Sequence, residues 1–260
     1  MQDDSLDATD LDVHFLKRAD RPRLAFRHAS GIRPTLIFLP GYMSDMEGGK
    51  ATALFDWAVK EGRACLLLDY AGCGQSDGEF ADQTLIDWRD DVLDLIEARV
   101  DGPLILVGSS MGGWLMLLVA LELVRRYGTE RVAGLVGIAS APDFTRWGFS
   151  DDEKATIAAD GALIEETPYG DQPYVTTRNF FQSGEEHLLL DGPIALQCPV
   201  RLLHGQQDAD VPPDISLRLA QALASEDVEI SLIKDGDHRL SRDQDIALLI
   251  HHVARLVREG

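Results

Sequence analysis

The sequence is poor in cysteine, poor in basic residues, and free of long apolar runs. Its three cysteines, Cys65, Cys73 and Cys198, are an odd number with no close pair, so neither a disulfide framework nor a thiolate metal site is expected. Lysine and arginine total 24 against 44 acidic residues, a formal charge of −20. That balance repels phosphate backbones and anionic lipid surfaces, and no segment gathers basic residues to offset it, so nucleic acid is excluded as an expected partner. The start of the chain, "MQDDSLDATDLDVHF", is acidic and has no run of signal-peptide length. No later segment approaches a membrane span, so no membrane insertion is expected and a cytoplasmic location is the expectation. No internal repeat or low-complexity tract is evident, and no residue pattern specifies an oligomeric state.

What is present is 260 residues, 45% of them hydrophobic, enough for one large α/β domain. Short β-rich runs at Thr35–Leu39, Ala64–Leu68, Leu104–Val107, Leu135–Ala139, Val200–Leu203 and Val228–Ile233 predict strands. Between them Lys50–Lys60, Gln83–Ala98, Met111–Tyr127, Ile215–Ala224 and Gln244–Arg258 predict helices. The alternation predicts a mostly parallel sheet covered on both faces, with antiparallel edge strands from His14–His28. Residues 142–193 break the rhythm: they are acidic and carry Trp147, Tyr169, Tyr174, Phe180 and Phe181. This stretch is expected to be a lid-like insertion over the carboxyl ends of the strands, where open α/β sheets bind ligands.

The segment "LVGSSMGGW", Leu106–Trp114, places Gly108 and Gly112 two residues either side of Ser110, between a predicted strand and a predicted helix. A nucleophilic serine on so sharp a turn takes a strained backbone conformation with neighbouring chain close by, which the small residues permit. Ser109 does not fit the pattern. Serine alone is a poor nucleophile and needs a base with an orienting acid, which in this arrangement follow in the order serine, acid, histidine. "HGQQDADVP" offers Asp208 and Asp210 after one strand, and "KDGDHRLS" places His238 in the loop after the next. His251 and His252 fall in the terminal helix, His204 ends a strand where it is expected to pack, and His187 has no spaced metal-ligand partner. The residues alone do not choose between the two acids. "LPGYMSD" follows an earlier strand, so the amides of Tyr42 and Met111 are the expected pair of oxyanion donors. Tyr42, Met43, Met46, Trp114, Phe144 and Trp147 are candidates to line an apolar acyl pocket. In "DYAGCGQSDG" the third glycine of a phosphate-binding pattern is replaced by Asp77, so this stretch is expected to be a structural turn.

"LPGYMSDMEGGKA", "LDYAGCGQSDGE", "LVGSSMGGWLML", "CPVRLLHGQQDADVP" and "DGDHR", in this order, resemble the α/β-hydrolases. Among these the chain is most similar to the acyl-protein thioesterase and acyl-glucuronide esterase family of animal mitochondria. The resemblance implies a triad of Ser110, Asp208 and His238, since the position after "HGQQ" carries the acid in that family. It further implies hydrolysis of small acyl esters or thioesters without cofactor or metal. A peptidase or amidase on the same triad, and a non-catalytic small-ligand receptor of the same fold, are the alternative expectations.

Overall fold

Strand β3 (Ile32–Leu39) sends Ile37 and Leu39 to one face of the sheet and Leu36 and Phe38 to the other, all of them buried. That two-sided burial is what an interior strand flanked by helices requires, and it explains why its apolar run is continuous rather than alternating. The computed structural model describes residues 11–167 and 173–259; Tyr169 and residues 1–10 lie outside the described residues.

Neighbouring strands repeat the pattern. β4 (Arg63–Leu68), β5 (Leu104–Ser109), β6 (Val132–Ile138), β9 (Val200–Gly205) and β10 (Val228–Ile233) run parallel to β3. β1 (His14–Leu16) and β2 (Leu24–Ala29) form the expected antiparallel edge, giving an eight-stranded sheet in the order β1-β2-β4-β3-β5-β6-β9-β10. Helices α1 (Gly49–Lys60) and α8 (Asp243–Glu259) cover one face, while α2 (Leu85–Arg99), α3 (Met111–Tyr127) and α7 (Asp214–Ala222) cover the other. The fold is that of an α/β-hydrolase, and each predicted strand and helix is present within a few residues. Among the described residues no helix is long and apolar enough to cross a membrane.

Residues 142–193 hold short elements that periodicity does not reveal: α4 (Phe144–Trp147), α5 (Asp151–Asp160), the antiparallel pair β7 (Ala162–Glu165) and β8 (Tyr174–Thr177), and α6 (Arg178–Glu185). Ser150 and Glu153 start α5 with reciprocal side-chain-to-backbone bonds. The segment is tied down at its root, where the buried Asp143 carboxylate accepts the Leu189 and Leu190 amides at 2.8 and 2.7 Å. The Gly72–Gly74 stretch is a turn in which both glycines take positive φ, and a β-carbon on Gly74 would collide with the Asp69 carboxylate.

Candidate active site

Ser110 sits between β5 and α3 with φ 55° and ψ −121°, a conformation that L-residues rarely adopt. Three backbone hydrogen bonds fix it there. Its amide donates to Ile138 O at 2.9 Å, and its carbonyl accepts from Gly113 at 2.8 Å and from Ala141 at 3.0 Å. The flanking glycines have a direct steric reason: a β-carbon on Gly108 would strike the Gly112 carbonyl, and one on Gly112 would strike the carbonyls of Leu39 and Pro40. Of the two serines, Ser110 is the one whose Oγ meets a histidine.

That histidine is His238, whose Nε2 lies 3.1 Å from Ser110 Oγ. Its Nδ1 lies 2.9 Å from Asp208 Oδ2. Asp208 reaches this position because β9 ends at Gly205 and the chain turns back beneath the loop after β10; a β-carbon on Gly205 would collide with the Gly236 carbonyl. The other carboxylate oxygen, Oδ1, accepts the amides of Asp210 and Val211 at 2.9 and 2.8 Å. Burial pushes the Asp208 carboxyl up, but hydrogen bonds from His204 and His238, the His238 charge and the Val211 amide outweigh it and hold it well below the usual range. Asp210 is exposed, and its amide serves to hold Asp208. Among the described residues Asp208, Asp210 and His238 are also the group whose ligand atoms gather within 4.8 Å, so a metal there would compete with the bonds just described.

Gly41 follows β3 and passes the elbow closely, since a β-carbon on it would lie 3.4 Å from that of Ser110. The next residues turn through Met43 at φ 51°, with Ser44 N donating to Gly41 O at 3.2 Å. The amides of Tyr42 and Met111 donate to no other described group, and Met111 begins α3, where the first amides have no intrahelical partner. The loop is held from two sides. Met46 N donates to Asp69 Oδ1 at 2.8 Å, and the Tyr42 hydroxyl donates to the Val175 carbonyl of β8 at 2.7 Å. The Tyr42 ring sits edge-on to Phe80 and Phe144, with centroids 5.1 and 6.0 Å away.

A cavity of about 680 Å³ opens over Ser110 and His238. Of the expected pocket residues, Tyr42, Met43, Phe144 and Trp147 line it. Met46 and Trp114 do not, which corrects that expectation. Met46 turns inward to pack with Leu54 and Phe55 of α1, and Trp114 sits in the core one layer behind Phe144, its indole N–H on the His187 carbonyl at 3.3 Å. Both are fully buried, Met46 in the turn before α1 and Trp114 beneath the 142–193 segment, where Gly184 also lies against its ring. Phe149, Tyr174 and Lys50 line the cavity and were missed; for the two aromatics the only signal was their place in residues 142–193. Burial, aided by the Arg239 charge, pushes the Lys50 ammonium down to about 8.

The profile of the alpha/beta hydrolase family matches residues 36–250. Over 249 residues the chain is 40% identical to "Palmitoyl-protein thioesterase ABHD10, mitochondrial" of Homo sapiens, covering 94% of this chain and 80% of that protein. Among solved structures it is similar to alpha/beta hydrolase domain-containing protein 10 from mouse, at 38% identity and TM-score 0.87, with 95% of this chain and 99% of that chain covered. A putative hydrolase from Agrobacterium vitis S4 is 35% identical at TM-score 0.87, covering 94% of this chain and 98% of that one. The expectation of a cytoplasmic location is corrected by these relatives, since the thioesterases matched are named as mitochondrial. Acidity and the lack of an apolar run do not distinguish one aqueous compartment from another, which is why composition misled.

Proposed function

The chain belongs to the alpha/beta hydrolase family, and on that premise we propose that it cleaves carboxylic esters or thioesters of acyl groups through Ser110, His238 and Asp208. The observation that carries this reading is the pair of hydrogen bonds, 3.1 and 2.9 Å, that joins Ser110 Oγ to His238 and His238 to Asp208. Ser110 Oγ attacks the acyl carbonyl while His238 Nε2 takes its proton. The amides of Tyr42 and Met111 hold the oxyanion as it forms. Collapse expels the alcohol or thiol, which leaves with the proton returned by His238, and an acyl group remains on Ser110. Water then attacks the acyl-enzyme, again giving its proton to His238, and the carboxylic acid departs with Ser110 restored. Asp208 keeps Nδ1–H pointed at itself throughout, so that Nε2 faces the serine with a lone pair. Residues 142–193 act as a lid-like insertion of a single domain, their aromatics receiving the acyl group against Met43 and Tyr42.

The test is a matched series of ester, thioester and anilide sharing one short or medium acyl group. Ester and thioester should turn over, with Ser110→Ala folded and inactive. The anilide should be slower by at least about a thousandfold in kcat/KM, roughly 4 kcal/mol, because an amine leaves only after a well-aligned protonation. Equal rates on ester and anilide, or full turnover by Ser110→Ala, would refute the proposal.

A further inference from the structure

We propose that His204 is a positioning residue for this reaction, acting through Asp208: it shares the Oδ2 oxygen with His238 and holds the carboxylate in the orientation that sets the His238 tautomer. The inference rests on the Ser110–His238–Asp208 reading above. His204 Nε2 lies 3.3 Å from Asp208 Oδ2, the same oxygen that His238 Nδ1 approaches to 2.9 Å.

His204 stands near the end of β9, fully buried, with both ring nitrogens engaged. Nε2 lies 2.9 Å from the Val211 carbonyl as well as facing Asp208, and Nδ1 lies 2.7 Å from Ser216 Oγ of α7. Both neighbours of Nε2 are acceptors, so Nε2 carries a hydrogen. In the neutral ring the Ser216 hydroxyl then donates to Nδ1, which anchors the ring with its Nε2 hydrogen toward the Val211 carbonyl and Asp208.

Packing alone does not account for an imidazole here. Filling a dry strand end requires only an apolar side chain, whereas an imidazole brings two polar atoms that must be matched. The matching partners are Ser216 on Nδ1 and the Val211 carbonyl on Nε2, and the ring they hold brings Nε2 to within 3.3 Å of the carboxylate. With that ring, four N–H groups surround Asp208: two amides on Oδ1 and two imidazoles on Oδ2. Without it, Oδ2 keeps His238 alone, and the carboxylate can swing about the two amides on its other oxygen. Nε2 gives its better-placed hydrogen bond to the Val211 carbonyl at 2.9 Å and stands 3.3 Å from the charged Oδ2, so losing the imidazole removes a donor beside the carboxylate and is measurable in the step that uses the oriented His238.

A double-mutant cycle on an activated acyl ester tests this, with thermal unfolding measured alongside. His204→Leu should lower kcat at least about tenfold with KM within about twofold, and His204→Gln, whose amide can donate to the same oxygen, should lose less than about threefold. Ser216→Ala, which removes the anchor on Nδ1, should fall between them. In an Asp208→Asn background His204→Leu should cost less than about threefold more, because its effect passes through the carboxylate. An equal cost in both backgrounds, or a folded His204→Leu with the kcat of the parent, would overturn the inference. Should His204→Leu fail to fold, the same cycle run with Ser216→Ala decides, and parental kcat there overturns it. If Asp208→Asn by itself left kcat intact, the fault would instead lie with the reading of the triad.

Discussion

Replacing Asp208 with Asn changes one oxygen into an NH2 group at a position surrounded by donors. Oδ1 accepts two backbone amides and Oδ2 faces two imidazoles, so the asparagine amide must turn a donor toward donors whichever way it sits. With its oxygen on the amides of Asp210 and Val211, its NH2 meets His238 Nδ1 and forces the hydrogen onto Nε2, which then cannot accept the Ser110 proton. With its oxygen on His238, the correct tautomer survives but the two amides that point at the buried Asp208 side chain lose their acceptor, at about 1–3 kcal/mol each. Reaching the productive arrangement therefore costs roughly 2–6 kcal/mol, a loss of about thirtyfold to ten-thousandfold in kcat. The upper end coincides with the wrong-tautomer cost of about ten-thousandfold found in a serine protease triad. KM should change little, since Asp208 does not line the cavity. Steady-state hydrolysis of a chromogenic ester by folded protein, checked by circular dichroism, gives both constants. Asp210→Asn, altering an exposed carboxylate, should cost less than about threefold. Retention of more than about a tenth of parental kcat by Asp208→Asn, or a larger loss for Asp210→Asn, would refute the reasoning.

Lys50 gives a pH signature: its folded value of about 8 lies below the 10.4 or so of an unfolded lysine, so across that window the unfolded chain holds a proton the folded one has released. Stability due to Lys50 is thus lowest below pH 8 and rises toward about pH 10, and urea midpoints should show the parent gaining on Lys50→Met between those limits; a constant difference refutes this. Burial pushes the Cys198 thiol up to about 11 and Cys73 up to about 12, and raises Cys65 further. All three should therefore ignore a disulfide reagent near neutral pH until the protein is denatured, and rapid reaction of any thiol in the native state would contradict it.

The parts of the fold legible in the sequence are those that repeat a physical pattern over several residues. Interior strands such as Leu104–Ser109 stand out because both faces are buried, and Met111–Tyr127 because, after Gly112 and Gly113, its residues run to Tyr127 without a glycine or proline. The elbow was legible because its glycines answer a local steric demand at Gly108 and Gly112. Which carboxylate meets His238 was not legible from residues alone: Asp208 and Asp210 stand two apart after the same strand, and only the three-dimensional turn aims Asp208 at His238 while leaving Asp210 exposed. Met46 and Trp114 misled for a similar reason, since apolar character near a catalytic motif does not say which way a side chain faces. The short pair Ala162–Glu165 and Tyr174–Thr177 was illegible because four residues do not establish a period. His204 had a weak signal: a histidine between an apolar strand and Gly205, four residues ahead of Asp208, reads as packing until the loop brings its Nε2 to the carboxylate.

Sheet order explains why these particular loops meet. β3 and β5 are neighbours with Leu39 opposite Gly108, so the loop carrying Gly41 and Tyr42 lies beside the elbow. β9 and β10 are neighbours with Gly205 opposite Ile233, so the loops carrying Asp208 and His238 leave the sheet level with one another. Between the two pairs stands β6, which supplies no side chain to the line from serine to acid. It supplies backbone: Ile138 O takes the Ser110 amide, and Ala141 N, just past the strand, takes the Ser110 carbonyl, so the strained residue is clamped by its neighbour rather than by its own strand. Residues 142–193 begin immediately after that clamp. The segment leaves from the strand between the one that ends at Ser109 and the one that leads to Asp208, and Phe144 and Trp147 reach the cavity within its first turn. β6, whose side chains stand outside the Ser110–His238–Asp208 line, is thus the strand from which residues 142–193 reach the cavity.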